Sequence, residues 1–468
     1  MGSLSGESKY HVVLFPFMSK GHTIPILQLA RLLLRRQISV TIFTTPANRP
    51  FIAKYLSNTA ASIIELSFPE NIPEISSGIE NTDKLPSISL FPYFAFSTKL
   101  MQPEFERALA YLPSVNFMVS DGFLWWTLES AIKFGFPRLV FFGMSNHAMC
   151  MGKAINDNRL FFGPESDEEL ITVTPFPWIK VTKSDFEPFF SDPQPKGLYF
   201  EFVVLAFEAA ANSHGYIMNS FYELEQVFVD YWDNTGAPTA WCVGPLCLAE
   251  PPSVEREPDK KSAWIQWLDQ NLEQGHSILY VAFGTQAEIS SEQLKEIATG
   301  LEESKVNFLW VLRHKESQLE DDFEERIKGR GIIAREWVDQ REILEHQSVQ
   351  GFLSHCGWNS VLESICSGVP ILAWPMMAEQ PLNARMVVEE IKVGLRVKTY
   401  DGSVRGFVKR EGLMKSVREL MEGEMGKKVR KKAKEVAEMA KNTMEDETGS
   451  SWRNLDLIIH KTCNAERK

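Results

Sequence analysis

Apolar residues recur along this chain in short continuous runs, each followed by a stretch where they return every three or four positions. The run Val12–Phe17 leads into 24-IPILQLARLLLRRQ-37, which keeps its apolar residues on one helical face, and then comes a second run, Ser39–Thr44. Thr23 reads as the N-cap of the intervening helix and Pro25 as a first-turn residue, with Gly21 and His22 in the loop before it. The alternation continues through Ser62–Phe68, Val115–Ser120, Arg138–Phe142, Gly215–Met218 and Ala240–Val243. Strand, helix, strand at this pace predicts a doubly wound parallel sheet.

The pattern breaks at 249-AEPPSVEREPDKKS-262, rich in proline and charge, and then restarts with Ser277–Phe283, Val306–Leu312, Ile332–Ala334, Val349–Leu353, Val369–Ala373 and Val393–Val397. Two similar α/β domains with a cleft between them follow: 1–248, a linker at 249–262, and 263–446. A last segment, 447–468, carries apolar residues at helical spacing and is expected to pack back on the first domain. The lysine-rich stretch 427–442 reads as a solvated amphipathic helix. No internal repeat is visible.

A length of 468 residues fits two cores better than one. Lys and Arg number 49 against 61 Asp and Glu, a net charge of −12, the opposite of what a nucleic-acid binder carries. An anionic ligand must therefore be held by local donors and helix ends. The polar start and the lack of any stretch approaching eighteen apolar residues argue against a targeting segment or a membrane span. The six cysteines show no framework spacing, which fits free thiols in a reducing compartment. The expectation is a monomeric, cytoplasmic protein working on small molecules.

The stretch 351-GFLSHCGWNSVLESICSGVP-370 concentrates small and polar groups where a strand hands over to a helix. His355 stands at the carboxyl end of a strand, where open α/β sheets hold ligands. Gly357 lets backbone approach a ligand, and Trp358 to Ser360 open a helix whose first N–H groups favour a phosphate. His355, Asn359 and Ser360 add side-chain donors, and Glu363, one turn on, can accept from ribose hydroxyls. Upstream, Trp337 offers a flat face for a base and Gln340 an amide for its edge; downstream, Glu379 and Gln380 suit sugar hydroxyls. Each residue alone is ordinary as a cap or a turn; together they read as a diphosphate seat with a sugar clamp. Gly329-x-Gly331-x-x-Ala334 imitates a dinucleotide fingerprint but precedes a strand instead of opening a helix.

From Trp337 to Gln380 the pieces W-x-x-Q, L-x-H, G-F-L-S-H-C-G-W-N-S, E-S, G-V-P and E-Q resemble the signature box of the plant family 1 UDP-sugar-dependent glycosyltransferases. The resemblance runs over essentially the whole chain, through Gly21-His22, Ser120-Asp121 and Phe283-Gly284-Thr285. It implies the GT-B architecture, an α/β fold of two Rossmann-like doubly wound parallel-sheet domains facing each other across a cleft, with acceptor on the first and nucleotide sugar on the second. It implies uracil stacking on Trp337, recognition of uracil or ribose by the Val338 backbone and Gln340, and ribose binding by Glu363. The diphosphate falls to His355, Asn359 and Ser360 with backbone help from Gly357 and Trp358; the sugar falls to Glu379 and Gln380, with Thr285 near its phosphate. Asp339 replaces a frequent proline and Glu379 a frequent aspartate.

Glycosyl transfer to a hydroxyl needs a base, and histidine suits it because its pKa lies near working pH. His22 and Asp121 both stand at strand carboxyl ends in the first sheet, and the resemblance makes them base and orienting acid, as in a Ser-His-Asp triad. The expected reaction is a single inverting displacement that gives a β-glucoside and UDP, with UDP-glucose as cosubstrate, no prosthetic group and no metal. Trp358 and Gln380 resemble the glucose-using members. Phe17, Phe123 and Trp126, with Ser145 and Asn146, are candidate acceptor contacts for a flavonoid or other phenolic. The alternatives are another UDP-sugar, a terpenoid or hormone acceptor, an epimerase, and a non-catalytic nucleotide-sugar sensor.

Overall fold

The structure is a computed structural model that describes residues 9–249, 262–312 and 319–463. Apart from its two ends, the expected linker 249–262 lies outside the described residues. Strands form where the apolar runs were read: β1 (His11–Phe15), β2 (Ser39–Thr44), β3 (Ser62–Glu65), β4 (Phe117–Asp121) and β5 (Arg138–Phe142). An antiparallel hairpin follows, β6 (Ile171–Val173) with β7 (Phe176–Val181), then β8 (Gly215–Met218) and β9 (Ala240–Cys242). Downstream come β10 (Ile278–Ala282), β11 (Asn307–Val311), β12 (Gly331–Ala334), β13 (Val349–Ser354), β14 (Ile371–Ala373) and β15 (Gly394–Arg396).

Two parallel sheets result, ordered β3-β2-β1-β4-β5-β8-β9 and β12-β11-β10-β13-β14-β15. The continuous apolar runs are explained by burial on both sheet faces. In β1, Val12 and Leu14 point into one core while Val13 and Phe15 point into another; β10 divides in the same way, Leu279 and Val281 against Ile278 and Tyr280. In each sheet the strand order reverses beside the central strand, β1 or β10, and the loops after these strands and their neighbours are where ligands of open α/β sheets bind.

The chain forms two compact units. The first comprises the described residues of Met1–Gly143, Gln194–Glu250 and Thr443–Lys468; the second comprises those of Met144–Pro193 and Pro251–Asn442. Residues 144–193, inside the 1–248 span read from sequence, group with the second unit. Buried Asp185 accepts from Arg385 Nε at 2.7 Å, and Trp178 Nε1 donates to Glu390 at 3.1 Å. The helix Ser450–Cys463 lies on the first sheet: Leu455 and Ile458 enter the core shared by Val12 and Leu14, and Asn454 donates to the carbonyl of Cys242 at 2.9 Å. Among the described residues no helix is long and apolar enough to cross a membrane.

Candidate active site

In the first unit the helix after β1 spans Lys20–Arg35, one turn earlier than expected. Ser19, extended at φ −145°, ends the loop, and its carbonyl accepts from the N–H groups of His22 and Thr23. The Thr23 hydroxyl does not cap; it donates to the Phe17 carbonyl at 3.1 Å. His22 is thus a first-turn helical residue rather than a loop residue, which fixes the direction of its side chain. Its Nδ1 lies 2.7 Å from Oδ2 of Asp121, the last residue of β4; the His22 side chain is 20% exposed and that of Asp121 fully buried. The other carboxylate oxygen of Asp121 accepts from the Phe123 N–H at 2.9 Å. A carboxylate on Nδ1 favours the tautomer that carries its proton there, and Nε2 is then the basic nitrogen.

Aromatic rings surround the histidine. Phe123 lies 4.8 Å and Phe17 5.7 Å from the His22 ring, and Phe91 and Phe202 extend the group at 5.6 Å and 5.2 Å from Phe123. Phe17 is itself fully buried and forms the floor of this wall. Trp126, expected at the acceptor, belongs to the core: it is fully buried, packs edge-on against Phe15 and Phe105, and donates its indole N–H to Thr98 at 3.1 Å. Large aromatic area and a satisfied N–H make it a core residue. Phe91, which the sequence already offered as a pocket-lining ring, and Phe202 extend the wall; Phe202 lies on the distant helix Leu198–Ala211 and only the tertiary fold reveals it.

The second unit assembles the signature residues around the loop after β13. Cys356 adopts φ +63°, and Gly357 is the N-cap of the helix Trp358–Cys366. A Cβ on Gly357 or on Gly284 would stand 2.6 Å from His355 Nε2, so two glycines make room for that ring. Gln340 ties the ribose end together: its amide nitrogen donates to Ser360 Oγ at 2.9 Å and to Glu363 Oε2 at 2.6 Å, and its carbonyl accepts from the Tyr280 hydroxyl at 3.2 Å. Burial pushes the Glu363 carboxyl up to about 7, and its bond to Gln340 acts in the other direction. Trp337 is 50% exposed, as a stacking face requires, while Val338 is nearly buried. Trp358 is buried, so its backbone N–H rather than its ring is available at the helix start. Thr285 follows Gly284 in the loop after β10 and is partly exposed, as is Asn359 on the helix.

Glu379 is the N-cap residue of the helix Gln380–Arg385. The Gln380 side-chain carbonyl accepts from the N–H groups of Met376 and Met377, both at 3.0 Å, which fixes the orientation of its amide. Asn383, three residues on, was not singled out from the sequence. It is fully buried, donates to the Cys356 carbonyl at 3.0 Å and accepts from Ser145 Oγ at 3.0 Å. Ser145 also caps the helix Asn146–Asn158 by accepting from the Ala148 N–H. Ser145 and Asn146, candidate acceptor contacts by sequence, are both buried, and Ser145 is linked through Asn383 to the turn at Cys356. Helical spacing of Asn383 from Glu379 and Gln380 was the available signal.

Comparisons with known proteins identify the family. A family model described as UDP-glucoronosyl and UDP-glucosyl transferase matches residues 254–431. UDP-glycosyltransferase 90A1 of Arabidopsis thaliana is 57% identical over 466 residues, 97% of each chain. Among solved structures, the Glycyrrhiza uralensis enzyme UGT73P12 complexed with glycyrrhetinic acid 3-O-monoglucuronide superimposes with a TM-score of 0.85 at 28% identity, covering 97% of this chain and 95% of that one. The Phytolacca americana UGT2 complexed with UDP-2fluoro-glucose and pterostilbene gives 0.79 at 27% identity, covering 97% and 99%. Identity of this extent along the full chain, on two parallel-sheet α/β units of the GT-B class, makes the protein a UDP-sugar-dependent glycosyltransferase of plant family 1.

Proposed function

We propose that this enzyme transfers glucose from UDP-glucose to a hydroxyl of a flat, apolar acceptor of the phenolic class, giving a β-glucoside and UDP. The observation that carries the reading is the His22–Asp121 pair, 2.7 Å apart and walled by Phe17 and Phe123. His22 Nε2 takes the proton of the acceptor hydroxyl as its oxygen bonds to the anomeric carbon and the bond to UDP breaks. Asp121 holds the imidazole in orientation and stabilises the imidazolium. The aromatic wall favours a planar, apolar acceptor.

On the donor side Trp337 stacks on uracil, the Val338 backbone and Gln340 read its edge, and Glu363 accepts from ribose hydroxyls. The N-terminus of the helix Trp358–Cys366 faces the diphosphate with His355, Asn359 and Ser360, and Thr285 approaches from the loop after β10. Glu379 and Gln380 hold the hexose. The pterostilbene and fluoroglucose donor in the Phytolacca americana structure support both halves of the assignment.

His22→Ala is expected to lower kcat at saturating UDP-glucose by at least ~100-fold, the lower range for general base catalysis. Turnover within a few-fold of wild type would remove His22 from the role. Mass spectrometry of mixtures containing UDP-glucose with phenols, flavonoids and terpenoid alcohols is expected to show the hexose adduct on phenols; adducts confined to terpenoid alcohols would refute the acceptor class.

A further inference from the structure

Behind Asp121, in the first unit, lies a buried cation. Arg138 opens β5, beside β4, and only 2% of the residue is exposed. Its guanidinium is held in place by three hydroxyls and one carbonyl. Nε donates to Ser120 Oγ at 2.7 Å and Thr127 Oγ1 at 3.0 Å; Nη1 donates to Ser213 Oγ at 2.7 Å; Nη2 donates to the carbonyl of Asp121 at 3.3 Å. No carboxylate of the described residues forms an ion pair with it.

A buried charge is costly unless compensated, and hydroxyls orient a cation without neutralising it. The acidic side chain whose charge acts on Arg138 is that of Asp121; the other group is the phenol of Tyr216, whose pKa burial pushes up to about 12. Burial draws the Arg138 guanidinium down to about 10, with the Asp121 charge acting against that fall, so the group stays charged at neutral pH. The attraction is mutual. The fully buried Asp121 carboxylate, which accepts from the His22 imidazole and the Phe123 N–H, gains a fixed positive charge behind it, and its backbone is pinned from the same side.

We propose that Arg138 is a positioning residue of the His22–Asp121 dyad: the buried guanidinium holds the end of the strand that carries Asp121 and sets a positive charge behind it, so that the imidazole Asp121 holds stays aligned to receive a proton. Arg138 touches no reactant and acts only through Asp121. The proposal rests on His22 being the base.

The test is a double-mutant cycle on kcat, with UDP-glucose and one phenol turned over by the wild type both saturating. Arg138→Gln is expected to lower kcat at least ~10-fold with KM for UDP-glucose unchanged within about twofold; the same change in an Asp121→Asn background is expected to move kcat by less than about twofold. A loss of equal size in both backgrounds, or one confined to KM, would overturn the proposal. Arg138→Lys, which keeps the charge and loses the fork, is expected to retain kcat within about threefold of wild type. It also serves if the glutamine variant does not fold, and a folded lysine variant as slow as His22→Ala would refute the charge role. If His22→Ala stays active, the reading of the base has failed; if it is inactive while the cycle shows no coupling, only the role of Arg138 has.

Discussion

The glycines at 284 and 357 are dictated by a neighbour's ring. Each faces His355 Nε2 so closely that a methyl group would displace the imidazole, and Gly284 also sits at φ +77°, where an L side chain is strained. Gly357→Ala is expected to raise KM for UDP-glucose by about tenfold, because the added methyl displaces His355 from the position proposed for contact with the diphosphate; isothermal titration with UDP measures the same loss without turnover. Glu363 carries the opposite tension, between stability and binding. Its folded pKa, about 7, is above the ordinary 4.5, so the folded state holds a proton that the unfolded chain releases. The stability this lends is complete below about pH 4.5 and is lost as pH rises through about 7. Glu363→Gln is therefore expected to melt higher than wild type at pH 8, with the gap closing toward pH 5, while KM for UDP-glucose rises about tenfold through loss of a charge-assisted bond. A gap that widens as pH falls would contradict the assignment.

The elements explain which parts of the site the chain announced in advance. The central strands of the two sheets were legible because both their faces are buried and their runs are largely apolar. The hairpin β6–β7 was not: Pro175 and Pro177 break the run, and the exposed positions of β7 hide its period. The start of the first helix was misread because Thr23 has the right chemistry for a cap, yet its hydroxyl turns back to Phe17 instead. The strand-to-helix turn at Cys356 and Gly357 was readable from residue types alone, whereas Arg138 and Asn383 show their contacts only through partners far away in sequence. Asn383 joins the helix Gln380–Arg385 to the loop at Cys356 and to the cap residue of the helix Asn146–Asn158. Asn383→Ala leaves the buried Cys356 carbonyl without its donor, at a cost of about 1–3 kcal/mol. It is expected to weaken UDP binding in calorimetry more than it changes KM for the acceptor. Ser145→Ala removes a cap worth about 1 kcal/mol, visible as a lower melting temperature.

In the whole molecule, composition set the terms of recognition. With a net charge of −12, the chain offers a dianionic diphosphate no general attraction, and the proposed seat relies instead on the start of the helix Trp358–Cys366 and on His355. The helix Ser450–Cys463 presents another constraint, since Leu455 and Ile458 fill the same core as Val12, Leu14 and Ile26. Leu455→Asp places a charge in that core and is expected to unfold the first unit while the second keeps its tryptophan-monitored UDP binding; unaltered melting would show that the helix is dispensable. Two segments that complete one core thus stand on either side of the entire 251–442 stretch. On the ribosome, the sheet that carries His22 and Asp121 stays unsealed until the second unit has emerged, so the His22–Asp121 pair can reach its finished setting only after those residues have been made.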